Sequence, residues 1–417
     1  MNRSLWQNRR FVALSVAQLL ASFGTWLLFL AVMVLIAFGW HRGPVAVSLG
    51  VVALVAPGLA IHPYAGMVAD RWDRKRLMVL SNLLSALSVL SIWVVQDLWQ
   101  LYVALASVGA IDAFFSPAES GMLKEVVDEP HMAQAMSIRM MIAQGTKIIG
   151  PSLSGALVAA FGARIPFAIG GVSFAVSAVV VMFLKGGRAH LRQDTAEPKP
   201  RYLDGFRYLA SKRSLGLLVA FFGLILFVLQ MVDSQFVILV RPLPHASRIL
   251  GVTMSASGMG MMVVAALIQK RETTRPLVSV SLSSIVVGLS FAGAALLAGA
   301  RLGWSLPLVV MLGGGGAAFA MIPFQTALQQ QTSVDWTGRV QAAVSSISSV
   351  AVVVGPILGG FFIQSAGVIP AFLIAAALLL IVGMGGLMVS WKLRGSLHAE
   401  GEPAIQKGAP GATDIGG

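Results

Sequence analysis

A chain of 417 residues that is 57% hydrophobic and only 11% charged, with a mean hydropathy of +0.82, carries more apolar surface than a water-soluble domain can bury, so lipid is its expected solvent. The lack of cysteine excludes disulfides and thiolate metal centres. The net charge of +13 falls in short loops between apolar runs, which points to membrane topology rather than a nucleic-acid partner.

Phe11 to Phe38 holds no charged residue in 28 positions. That is too long for a signal-peptide core and long enough for a membrane-spanning helix. Eleven further apolar runs follow, giving expected spans at 11–38, 46–68, 77–96, 99–123, 134–161, 166–184, 214–240, 249–269, 277–299, 307–330, 339–365 and 370–391. The fold class is therefore an all-α membrane protein with twelve transmembrane helices. The glycine run Gly313-Gly314-Gly315-Gly316 falls inside the tenth run and reads as close helix packing rather than a phosphate loop.

The longest polar connection, 185–213, carries Pro198 and Pro200 and splits the spans six and six. It divides the chain into a first half at 1–184, a cytoplasmic linker at 185–213 and a second half at 214–392, with a flexible tail at 393–417. Tyr202 to Tyr208 is expected to form an amphipathic helix on the inner membrane surface. With the N-terminus inside, twenty-three Lys and Arg fall on the inner side and five on the outer, which places both termini in the cytoplasm.

The two halves repeat. Gly150-Pro151-Ser152-Leu153-Ser154-Gly155 in the fifth span matches Gly355-Pro356-Ile357-Leu358-Gly359-Gly360 in the eleventh, 205 positions later. Pro117 matches Pro323 at 206, and Asp128 with Gln134-Ala135 matches Asp335 with Gln341-Ala342 at 207. Landmarks at nearly one offset imply parallel, pseudo-symmetric halves, an arrangement in which substrate binds near the midplane between them. In each motif copy the proline removes a backbone donor and bends the helix, while the glycines admit a neighbouring helix.

Ionisable residues inside spans are costly and are functional candidates by default. The fourth span holds Asp112 and Glu119 on one helix face, and the antiparallel fifth holds Arg139 and Lys147. Matching depths predict two cross-helix pairs, Asp112–Lys147 and Glu119–Arg139. One reading is a proton-switched or anion-sensing site in a cavity wall; the other is a pair of static buried salt bridges. Asp233, flanked by Gln230 and Gln235 near the outer end of the seventh span, either joins that site or marks the helix exit. The six histidines are scattered and no nucleophile-and-base cluster or metal-ligand set is visible, so an enzyme is not expected.

The turn Gly66-Met67-Val68-Ala69-Asp70-Arg71-Trp72-Asp73-Arg74-Lys75-Arg76 resembles the loop between helices two and three of major facilitator superfamily transporters. In that family the matching aspartate meets the cytoplasmic start of the eleventh helix and latches the outward-facing state. The resemblance therefore implies an inner gate at Gly66, Asp70, Arg71, Arg74, Lys75 and Arg76, with Asp70 reaching toward Gly338 and Arg339. The counterpart near Lys270 to Arg275 keeps basic residues but no matching aspartate, so the latch is expected in one half only. The Gly-Pro motif, at Gly150, Pro151 and Gly155 and at Gly355, Pro356, Gly359 and Gly360, resembles that of antiporter members.

Ala69-Asp70-Arg71-Trp72-Asp73-Arg74, with Phe114-Phe115-Ser116-Pro117-Ala118, is similar to the branch containing enterobactin exporters and macrolide efflux pumps. Several positions depart from the family pattern. Thr25 stands where the branch often has aspartate, Glu119 where it often has arginine, Asp73 where glycine is common, and Thr146 and Ser154 where the motif has glycine. The usual first-helix carboxylate is thus missing, and a proton site must lie elsewhere. Spans one, four, seven and ten line the cavity in this family, which makes Gln18, Gln325, Gln329 and Gln330 cavity candidates. The resemblance implies a monomeric inner-membrane exporter of small, largely lipophilic molecules, working by alternating access and proton antiport without a cofactor. The alternative it leaves open is a siderophore or lysophospholipid carrier using Lys147 and Arg139 for an anionic substrate.

Overall fold

The computed structural model describes residues 5–184, 204–268 and 275–399. Every element in them is helical: α1 (Arg9–Val34), α2 (Pro44–Arg71), α3 (Arg74–Ser91), α4 (Leu98–Val126), α5 (Met132–Phe161), α6 (Ile165–Met182), α7 (Asp204–Ser211), α8 (Arg213–Asp233), α9 (Phe236–Val240), α10 (Ala246–Ile268), α11 (Pro276–Gly299), α12 (Leu306–Gln331), α13 (Val334–Ala366) and α14 (Val368–Ala399), with short single-turn extensions. The ends follow local chemistry. Asn8 accepts bonds from the first amides of α1, Asp73 caps α3 through Arg76 N at 2.8 Å, and proline opens α2 and α11.

Two expectations need correction. The seventh span is not one helix: α8 stops at Asp233, and α9 begins at Phe236 after a Ser234-Gln235 turn. The break occurs where three polar residues interrupt the apolar run and the Gln235 side chain bonds to another helix. The helix of the last span also continues to Ala399, into the segment expected as tail. The linker helix falls at Asp204–Ser211; Tyr202, the rest of the linker, most of the Lys270–Arg275 turn and residues 400–417 lie outside the described residues.

Ten of the described helices are long and apolar enough to cross a membrane by length and composition. The two other long helices, α3 and α5, are more polar because their side chains serve neighbouring helices. Asn82 of α3 donates to Ser177 Oγ of α6 at 2.9 Å, and Ser177 donates to Ala17 O of α1 at 2.8 Å. In hydrocarbon such bonds help hold helices together where apolar contact gives no preference over lipid.

The halves are built alike. In the first, α2 lies against α4, and α1 against α5 and α6; in the second, α10 lies against α12, and α8 against α13 and α14. Glycines allow the closest approaches. A Cβ on Gly58 would sit 2.7 Å from Gly109 O, and one on Gly260 would sit 3.1 Å from Gly315 N. Each of Gly313, Gly314, Gly315 and Gly316 faces a neighbouring helix, as the packing reading of that run requires.

The halves meet through α2 with α13 and through α5 with α10. We call the face holding the start of α1, the α2–α3 turn and α7 the near face, and the opposite one the far face. On the far half of these helices backbones touch: a Cβ on Gly155 would lie 2.7 Å from Gly251 Cα. On the near half, Gly66 of α2, Gly145 of α5 and Gly338 of α13 have open space where a Cβ would stand. The structure is closed at the far face and parted at the near face.

Candidate functional site

Lys147 of α5 and Asp233 of α8 come from opposite halves, and each lies within electrostatic reach of the other. Both side chains keep exposed surface although protein surrounds them, as expected in a water-accessible cavity between the halves. Lys147 Nζ also stands 5.7 Å from the centre of the Trp26 ring of α1, a cation–π contact. Asp233 is the last residue of α8, at its far end.

This arrangement corrects the expected Asp112–Lys147 pair. Among the described residues no ion pair within 4 Å joins Lys147 to Asp112 or to Asp233; of the two carboxylates, Asp233 is the one near enough to act on Lys147 electrostatically. Depth along two antiparallel helices fixed height but not the direction in which each side chain points. Asp112 is half-buried on α4, about 21 Å from the near end of that helix at 1.5 Å per residue.

The second expected pair is present. Arg139 Nε and Nη2 each reach Glu119 Oε2 at 2.9 Å, and Nη2 also lies 3.4 Å from Ser116 Oγ. Gln18 Nε2 of α1 donates to Arg139 O at 3.2 Å. Glu119 is buried and Gln18 is buried, so this network ties α1, α4 and α5 inside the first half. It occupies Arg139 fully on one side and sits nearer the near face than Lys147.

The Gly-Pro motifs lie at the closed far gate. Gly150 is pressed on Trp26 of α1, and Gly355 on Gln230 of α8, where a Cβ would be 2.9 Å from Gln230 Cβ. Gly155 touches Gly251 of α10, Gly359 touches Met231 of α8, and Gly360 touches Ser48 of α2. Both helices run on past Pro151 and Pro356, so these motifs act here as contact sites between helices. Ser154 and Thr146, the departures from the glycine pattern, donate to Leu27 O and to carbonyls of their own helix.

Sequence reasoning missed the polar part of this gate. Gln235 Nε2 donates to Ser48 Oγ at 2.8 Å and to Pro44 O at 3.2 Å, and Ser48 in turn donates to Pro356 O. Arg241 reaches Arg42 O at 3.1 Å and His41 O at 3.3 Å. On the other side, Ser152 donates to Met254 O at 3.0 Å and Ser255 to Ser152 O at 3.1 Å. The available signal was the polar Asp233-Ser234-Gln235 triplet inside an apolar run.

At the near face, Asp70 is exposed, and the contact expected with the start of α13 is not made in this far-closed state. Arg339 instead faces Asp204 of α7 at 3.9 Å. Arg74 is turned inward, donating to Gly121 O at 3.2 Å and pairing with Glu125 of α4. Arg71 and Arg76 are exposed and Lys75 half-buried. The turn is thus built by Asp73 and Arg74, leaving Asp70 accessible.

The sequence model of the Major Facilitator Superfamily matches residues 14–352. The chain belongs to the Major Facilitator Superfamily. It is accordingly a multi-pass membrane transporter and not an enzyme. The MFS-type transporter YfiS of Bacillus subtilis is 36% identical over 394 residues, covering 92% of this chain and 94% of its own. More distant relatives are Macrolide efflux protein A of Streptococcus pyogenes (21% identity, 79% and 83% coverage) and the multidrug resistance protein MdtG of Dickeya zeae (25%, 76% and 78%). The solved structure of the nucleoside transporter NupG superposes with a TM-score of 0.67 at 14% identity, over 94% of this chain and 100% of that one. That likeness speaks for the major facilitator fold alone.

Proposed function

We propose that this transporter exports small, largely lipophilic molecules from the cytoplasm by alternating access, driven by proton antiport. The observation that carries this reading is the charge relation between Lys147 and Asp233. It links the two halves across the cavity, so anything that alters either charge changes the balance between far-closed and far-open states. Asp112 supplies a second carboxylate at similar depth, giving one cation and two carboxylates in a site that a proton or substrate enters from the near face. The Lys and Arg distribution supports a cytoplasmic near face, with both termini inside. The efflux names of Macrolide efflux protein A and MdtG support export of drug-like molecules. Asp70 would hold the near gate when the halves rock the other way.

An anionic substrate is less well supported, because Glu119 and Ser116 already engage Arg139 and leave Lys147 as the cation facing the cavity. The test is a dye and antibiotic efflux panel in whole cells, with and without a protonophore. Extrusion that collapses with the proton gradient is the expected result. Extrusion indifferent to the gradient refutes antiport, and no extrusion of any lipophilic probe refutes the substrate class.

A further inference from the structure

The linker helix α7 has two unlike faces. Gly205 lies on the Arg339 carbonyl of α13 so closely that a Cβ would be 2.8 Å from its carbon, and Tyr208 stacks on Trp336 at 4.9 Å. Asp204 lies 3.9 Å from Arg339, whose guanidinium stands 4.8 Å from the Trp336 ring. Leu209 is buried, with its carbonyl against Gly216 of α8. This face is therefore occupied by the first turns of α13 and α8, and it consumes the one acid of the helix.

The outer side of α7 and the junction to α8 that follows it are exposed and basic. Phe206 is 40% exposed, and Arg207, Ala210, Lys212 and Arg213 are all exposed. None of the three cations has an ion-pair partner among the described residues; Lys212 only leans over the Tyr208 ring at 5.9 Å. Arg213 is also the first residue of the membrane helix α8, so the patch stands where the chain enters the bilayer. An exposed aromatic beside three unpaired cations at that level matches a membrane interface bearing negative charge.

We propose that α7 is an anionic-lipid binding element. Phe206 and Ala210 rest in the interface, Arg207, Lys212 and Arg213 hold phosphate headgroups, and the opposite face clamps the near end of α13. Lipid that seats α7 thereby fixes Trp336 and Arg339, which belong to one of the helices that part at the near face. Each cation close to an anionic surface strengthens local attraction about fivefold, so the three together should enrich acidic lipid strongly over neutral lipid.

The chain has no cysteine, so a single Ala210→Cys carries a unique bimane label. The labelled full-length protein is reconstituted into phosphatidylcholine vesicles containing phosphatidylglycerol, with bromine placed on one lipid or the other at equal mole fraction. Quenching several-fold greater by brominated phosphatidylglycerol is expected. Arg207→Gln, Lys212→Gln and Arg213→Gln together should bring the ratio to about one, as should raised salt in the unsubstituted protein if that variant does not fold. Equal quenching by both lipids, no quenching by either, or a preference that survives the charge loss or salt overturns the proposal.

Discussion

Replacing Arg139 by methionine removes both donors from Glu119, whose two bonds of 2.9 Å are its recorded side-chain partners. Glu119 is 3% exposed, so water cannot substitute, and the fourth helix is left with an uncompensated buried carboxylate. Breaking one side of a buried pair costs about 3–5 kcal/mol. Arg139 keeps some exposure, which places the expectation at about 3 kcal/mol, near the lower end. Gln18 is unaffected, because it bonds the backbone carbonyl of residue 139 rather than the side chain. Adding Glu119→Met removes the stranded charge and leaves no unpaired buried polar group, so the double variant should return to within about 1 kcal/mol of the original chain. Equilibrium unfolding in mixed detergent micelles, followed by the fluorescence of the nine tryptophans, measures both. A single variant as stable as the parent, or a double variant no better than the single, refutes the assigned pairing energy. Transport decides the role: a static bridge predicts that the double variant still transports, whereas a coupling site predicts that it folds and does not.

Three other outcomes follow from the gate and the cavity. Gly155→Leu places a branched side chain where even a Cβ lies 2.7 Å from Gly251 Cα, so the far gate should open; spin labels at Arg164→Cys and Leu302→Cys should move apart, and an unchanged distance contradicts the close approach. Gln235→Ala removes bonds to Ser48 and Pro44 worth about 1 kcal/mol or less each, which should raise the far-open population severalfold in the same distance measurement; no shift shows the knot to be incidental. Lys147→Met should slow proton-driven uptake into inverted vesicles about tenfold, equivalent to 1.4 kcal/mol. The exchange Lys147→Asp with Asp233→Lys should then recover part of the rate, and a folded but inactive exchange variant argues that each charge has its own task.

Apolar periodicity made the all-helical membrane fold legible, because lipid forces every span to satisfy its own backbone. Glu119–Arg139 was legible too, since consecutive antiparallel helices leave two charges at one depth few other partners. Lys147 was not. The carboxylate that acts on it lies 86 positions away, at the end of a helix of the other half. Height along a helix can be read by counting residues, but azimuth and the approach of distant helices cannot. The polar far gate was hidden for the same reason: Ser48 and Gln235 on one side, and Ser152 and Ser255 on the other, are ordinary neutral residues until the two halves meet. The Asp70 turn was recognisable from its motif, yet in this structure Asp70 is exposed and, among the described residues, makes no ion pair with the start of α13.

The repeat explains the gate better than it explains the cavity. Gly150 meets Trp26 as Gly355 meets Gln230, and Gly155 meets Gly251 as Gly360 meets Ser48, so the two sides of the far gate are near copies. The charges inside the spans are not copied. One repeat length beyond Asp112, Glu119 and Lys147 stand Ala318, Gln325 and Val352. Buried charge is expensive in a membrane protein and is rarely kept without use. A symmetric scaffold with charge concentrated in one half should therefore rock symmetrically but respond to ions asymmetrically. Under the proposed antiport, the first half would hold the titrating and substrate-sensing groups, and the second would contribute the carboxylate Asp233, which makes their charge state felt across the interface.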